Sequence, residues 1–233
     1  MKLFSTTSNH TVLCDTPLCF AEVRLSTPNT PLFASRSSPA ETVLCVMDGE
    51  LRVDVEEDNA EDAHYVLGAM EGIQIPSRRS WSGQMGAAGG KVLRADSFHP
   101  HLKPGHELLP ALMQPHRFAV ADGQMLIYTD YIRGGVLNFR PSFAADKHFH
   151  QDADELFWFF QGRCRVETPD GVVVAAAGTI FYTTPGEWHI IENADSEPLL
   201  MFVTITPNIV PSHTFFDADN NPVVRSSEPL RGR

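Results

Sequence analysis

The chain of 233 residues has no apolar run of membrane-spanning length. Its first residues, Met1-Lys2-Leu3-Phe4-Ser5-Thr6-Thr7-Ser8, lack the apolar core of a signal peptide. The expectation is a cytoplasmic protein with no membrane partner. Positive charge is scarce, with 18 basic residues against 29 acidic ones and a formal net charge of −11. So little basic surface argues against nucleic acid and anionic membranes as partners. Cysteine is scarce as well. Cys14, Cys19, Cys45 and Cys164 are spaced neither as a zinc ribbon nor as a dense disulfide scaffold, so buried free thiols are expected. Hydrophobic residues at 42% and charged ones at 20% describe an ordinary globular protein, long enough to bury a real core.

What the chain does have is concentrated between His148 and Asn193. Alternate side chains of a strand share a face, so His148 and His150 point the same way and can grip one ion. A short turn then leads to a strand, Leu156-Phe157-Trp158-Phe159-Phe160, on which Glu155, Phe157 and Phe159 share a face. Gly162 is the turn residue, and Cys164-Arg165-Val166-Glu167 reads as the hairpin partner of that strand. A further strand at 178–183, a Pro185-Gly186 turn and a strand from Trp188 bring in His189. Three imidazoles and one carboxylate form a mixed nitrogen and oxygen set suited to iron, manganese, nickel, copper or zinc, and poorly to calcium or magnesium. Asp154 is the alternative carboxylate, on the opposite strand face from Phe157.

This stretch resembles the two signature motifs of the cupin superfamily. His148, His150, Glu155 and Gly162 fall at the spacings of the first motif, with Ser142 in place of its leading glycine. Gly178, Gly186, His189 and Asn193 fall at those of the second, with Thr184 in its proline position and Pro185 one place later. Both departures concern turns and neither removes a ligand.

The N-terminal half carries a weaker echo. Thr42–Met47, an Asp48-Gly49 turn and Glu50–Val55 read as another hairpin. Setting Gly49 on Gly162 puts Thr42 at the place of Glu155, and Ser35 and Ser37 at those of His148 and His150. Setting Pro76 on Thr184 puts Arg78 at Gly186 and Trp81 at His189. The expected fold is therefore all-β, two cupin-type β-barrels (jelly rolls) in one chain. Residues 1–96 form a degenerate barrel without metal ligands, 97–116 a linker, and 117–233 a metal-binding barrel. The linker's His99, His101 and His106 are read as solvent-facing, and His213 as a surface or capping group rather than a ligand.

Leu156, Trp158 and Phe160 make the outside of the second barrel apolar. Either the first barrel or a second subunit covers them, and a homodimer is expected. Functionally, the resemblance implies one divalent transition metal, with iron favoured over manganese, nickel, zinc or copper, held by His148, His150, Glu155 and His189. One glutamate leaves the site with about +1 charge, which favours an anionic or chelating small-molecule substrate. The expected activity is that of a dioxygenase. The alternatives are a non-redox isomerase, decarboxylase or lyase, and a binding module without turnover. Arg140 and Lys147 are candidate carboxylate anchors, Tyr182 a candidate proton donor, and Phe157, Phe159 and Trp188 candidate pocket walls.

Overall fold

Gly49 and Gly90 stand opposite each other on two long strands, and a side chain on either would collide with backbone. A Cβ on Gly49 would lie 2.1 Å from the Gly89 carbonyl oxygen, and one on Gly90 2.1 Å from that of Asp48. Both take positive φ, 85° and 149°, a region open to glycine and costly for other residues. The two strands bend together at this point. In the computed structural model, which describes residues 2–5, 9–17, 19–35, 38–56, 61–98, 112–120, 127–209 and 212–224, the regular elements are all β-strands. Among the described residues no helix is long and apolar enough to cross a membrane.

The strands fall into two compact units. Lys2–Ser5 (β1) belongs to the C-terminal unit, where it pairs with a strand far along the chain. The N-terminal unit contains His10–Asp15 (β2), Cys19–Ser26 (β3), Pro31–Ser35 (β4), Glu41–Val55 (β5), Ala63–Gly68 (β6), Glu71–Ile75 (β7), Trp81–Ser97 (β8) and His116–Ala119 (β9). They form one sheet in the order β2-β3-β8-β5-β7-β9, with β4 on β8 and β6 on β5. The expected hairpin at Asp48-Gly49 is not formed. β5 continues through the bend at Gly49, pairing by its first part with β7 and by its second with β6.

The C-terminal unit adds Ile127–Tyr128 (β10), Arg133–Phe139 (β11), His148–Phe149 (β12), Asp154–Gln161 (β13), Arg163–Thr168 (β14), Gly171–Ala176 (β15), Thr179–Thr183 (β16), Ile190–Asn193 (β17), Leu199–Thr206 (β18), Thr214–Phe216 (β19) and Pro222–Val223 (β20). One sheet runs β1-β16-β13-β18-β11-β10, a second β15-β14-β17 and a third β12-β19-β20. The expected hairpin at Gly162 is also absent. β13 and β14 lie in different sheets, and Gly162, at φ 81°, is the corner where the chain passes between them. Each strand is buried against a partner distant in sequence, which outweighs the local signal of a glycine turn.

The register supports the two-barrel reading residue by residue. Thr42 pairs with Ile75 and Asp96, as Glu155 pairs with Thr183 and Ile205. Ser35 lies opposite Trp81, as His148 lies opposite His189. Four left-handed positions recur as well: Asn29 and Ser142, Gly49 and Gly162, Met70 and Gly178, Arg78 and Gly186, with φ between 55° and 85°. The backbone repeats even where glycine does not. Ser142 therefore takes the left-handed conformation that the motif's glycine would adopt without strain.

The units differ from the expected division in two ways. β1 lies in the C-terminal unit, while β9 and residues 129–131 lie in the N-terminal one, because β9 pairs with β7. The expected linker histidines and Ser37 lie outside the described residues. Each unit has its own apolar interior, one around Leu44, Leu51, Ile73, Trp81 and Met85, the other around Phe157, Phe159, Phe181, Ile191 and Met201. On the outer face Leu156 and Trp158 are buried, and the four cysteines are buried thiols outside any disulfide.

Candidate metal centre

The C-terminal interior narrows to a polar cluster above Phe157. His148, His150, Glu155 and His189 each offer a ligand atom, and those atoms all lie within 4.8 Å of one another. All four residues are buried. β13 supplies Glu155, with Phe157 two residues on along the same face. The antiparallel bridge between His148 and His189 is closed by backbone bonds in both directions, His148 N–H to His189 O at 3.2 Å and His189 N–H to His148 O at 2.9 Å.

The ring nitrogens are sorted by their backbone partners. His148 Nδ1–H donates to the Asp146 carbonyl at 2.7 Å, His189 Nδ1–H to that of Glu187 at 3.3 Å, and His150 Nδ1–H to that of Ser212. A proton fixed on Nδ1 leaves Nε2 with its lone pair, the form a metal takes. The Nε2 atoms of His150 and His189 each lie 3.0 Å from Glu155 Oε2. No hydrogen bond satisfies these three buried atoms. Two lone pairs and a carboxylate oxygen converging in a dry pocket repel one another unless a cation lies among them.

Burial by itself would raise the Glu155 carboxyl, but His150 and His189 beside it reverse the sign and hold it well below the usual carboxylate range. Burial, followed by the neighbouring His189, pushes His148 well below the ordinary histidine value. Three imidazoles and one carboxylate are a donor set that fits a divalent transition metal.

Other expected site residues lie elsewhere. Asp154 faces away from Glu155 and accepts a hydrogen bond from the Tyr182 hydroxyl at 2.5 Å, so it is not the alternative ligand. Tyr182 pairs with Leu156, on the sheet face opposite Glu155. It cannot deliver a proton into this pocket. Arg140 is exposed, in the turn where its carbonyl accepts from Phe143 N–H. Lys147 and Trp188 pack on each other, with Lys147 Nζ also bonded to Asn220. Phe157 does line the site, its ring centre 5.6 Å from that of His189.

His213 is the opposite case. Its ring centre lies 4.9 Å from that of His148 and 4.6 Å from that of His150. Arg133 reaches it, Nη2 to Nδ1 at 3.4 Å. Neither belongs to a local motif, and nothing short of the β11 and β19 pairings announces them.

Among the described residues, the corresponding place in the N-terminal unit holds no such ligand set. Thr42 Oγ1 donates to Asp96 Oδ1 at 2.8 Å, and Arg94 grips the same carboxylate through Nε at 3.1 Å and Nη2 at 2.5 Å. Arg94 also bonds Glu22, and its guanidinium lies 5.3 Å from the Trp81 ring centre and 5.5 Å from that of Phe33. A guanidinium held between carboxylates occupies that place.

Residues 135–205 match the family model of the cupin domain. No curated protein sequence matches the chain. Among solved structures, an oxalate decarboxylase of Bacillus subtilis, studied for its Mn(II) centres, superposes with a TM-score of 0.63 at 13% identity, covering 91% of this chain and 78% of that one. The formate complex of a Lactobacillus farciminis oxalate decarboxylase gives 0.64 at 13% identity, over 91% and 88%. A cupin 2 conserved barrel domain protein from Leptotrichia buccalis gives 0.61 at 9% identity, over 88% and 89%. At such identities the likeness is one of fold.

Proposed function

We propose that this chain, a cupin by its domain at residues 135–205 and by its fold, is a metal-dependent decarboxylase of a small carboxylic acid. The observation that carries the reading is the convergence of His150 Nε2, His189 Nε2 and Glu155 Oε2, buried and without hydrogen bonds. Four protein ligands leave coordination positions for a substrate, and manganese is the metal we favour. A bound divalent ion supplies Lewis acidity, and in the case of manganese or iron a redox couple, to an acid that coordinates it.

The protein contributes the rest. The carbonyls of Asp146, Ser212 and Glu187 hold the three imidazoles in one orientation, which keeps the ligand geometry preorganised. Phe157 and Phe181 pack edge-on to His189 at 5.6 and 6.2 Å, closing the floor against water. In such surroundings a carboxylate loses its hydration on entry, and leaving as neutral carbon dioxide relieves that loss; the electron pair of the broken carbon–carbon bond stays on the remaining carbon, where a proton from solvent replaces the carboxylate. Similarity to decarboxylases described with manganese and with formate favours this reaction over the iron dioxygenase expected from sequence.

The test is to load the protein with manganese or iron and offer a panel of mono-, di- and keto acids, following carbon dioxide release and oxygen uptake together. The expected result is carbon dioxide release without net oxygen consumption, abolished in Glu155→Gln and His148→Ala while the β-sheet circular dichroism persists. Stoichiometric oxygen uptake with iron would replace the proposal with a dioxygenase. Binding without turnover across the panel would replace it with a binding module.

A further inference from the structure

We infer that Arg133 and His213 form an anion-binding arm beside the metal centre, so that the substrate is a small acid with two anionic groups, one for the metal and one for Arg133. The inference rests on the decarboxylase reading and narrows its substrate.

The sheet register places Arg133. It pairs with Ile205, and Ile205 pairs with Glu155, so the three residues form one row across β11, β18 and β13. Directly opposed residues of an antiparallel sheet share a face, which puts Arg133 on the interior face that carries Glu155. Two strand spacings separate them, about 10 Å between backbones. The side chain closes part of that distance, because Nη2 lies 3.4 Å from Nδ1 of His213. His213 in turn packs against the rings of His148 and His150. Arg133 is half-buried, so its charge is felt more strongly than that of a surface arginine.

His213 is oriented by the same contacts. A guanidinium can only donate, so Nδ1 of His213 accepts from Arg133, and the Ser212 hydroxyl lies 2.7 Å from the same nitrogen. The ring hydrogen is then on Nε2, giving the arm a second N–H donor. Stacking of His213 on Phe215, with ring centres 5.6 Å apart, and the pairing of Phe215 with His148 fix the ring relative to the ligands. A divalent ion with one glutamate leaves a positive centre for one anionic group, and the Arg133 guanidinium beside His213 offers N–H donors to a second. A dianionic acid engages both the metal and the guanidinium, whereas a monoanion or a neutral sugar does not.

Isothermal titration of the manganese-loaded protein with malonate and with acetate tests the assignment, with bound manganese counted by its paramagnetic resonance signal. Wild-type protein is expected to prefer malonate about tenfold or more, the worth of a charge-assisted hydrogen-bond pair. Arg133→Met should keep manganese and lose that preference to within about twofold, and Arg133→Lys should keep part of it. A preference unchanged in manganese-loaded Arg133→Met overturns the arm alone. So does equal loss of affinity for both acids, the result expected if Arg133 merely supports His213. Failure of the wild type to bind manganese or iron overturns the metal reading and the arm with it.

Discussion

The ammonium of Lys147 lies 4.2 Å from the centre of the Trp188 ring. Phe216 covers it from another side at 4.3 Å. Lys147 immediately precedes His148 and Trp188 immediately precedes His189, so alternation directs this pair away from the two imidazoles. The contact ties the ligand segments together from the side opposite the metal.

Replacing Lys147 by Met should therefore weaken metal binding by about three- to tenfold, the equivalent of roughly 1 kcal/mol of cation–π attraction. Arginine at this position should retain most of the affinity. Competition with a chelator of known affinity measures it. Equal affinities for Lys147→Met and wild type would show that the clamp does not position the ligands.

Arg94 should be the costliest polar residue to truncate in the N-terminal unit. Its removal leaves Glu22, 1% exposed, and Asp96, 4% exposed, with buried charge that Arg24, His10 and Thr42 only partly offset. Arg94→Met should lower stability by about 3 kcal/mol, the scale of a broken buried pair. Urea denaturation reads the loss, and metal content should stay at one ion per chain. A rise to two ions would mean that Arg94 masks a second site.

Glu41 predicts a pH dependence. Burial raises its carboxyl, against the smaller lowering by hydrogen bonds from Thr129 and Gln74, and Asp130 adds to the rise. A folded value above the unfolded one means that the stability contribution is complete below about pH 4.5 and is lost as pH climbs through the folded value. Glu41→Gln removes this titration. The stability of the variant relative to wild type should be flat below that pH and rise above it. A difference independent of pH, measured by denaturation across the range, would rule out a raised Glu41.

The metal ligands were legible because each is carried by local spacing. His148, His150, Glu155 and His189 sit on short strands and turns whose side-chain directions follow from alternation, and the structure brings all four together. The degenerate repeat was legible from setting Gly49 on Gly162 and Pro76 on Thr184, and the structure keeps left-handed corners at Asn29, Met70 and Arg78 where the side chains differ.

Strand partnership was not legible. Local signals at Gly49 and Gly162 suggest hairpins, yet each glycine is a bend or corner whose flanking strands pair with segments far along the chain. The same long-range register decides that Tyr182 faces Asp154 rather than the metal, that β1 joins the C-terminal unit, and that Arg133 and His213 meet beside the ligands.

By itself, then, the amino-acid sequence determined an all-β chain with one complete ligand set and one degenerate copy, because ligand spacing and strand alternation act over a few residues. Only the tertiary structure decided which charged groups surround that set. Hydrogen-bond register between distant strands places a side chain on one face or the other, and a shift of one residue would exchange the two faces.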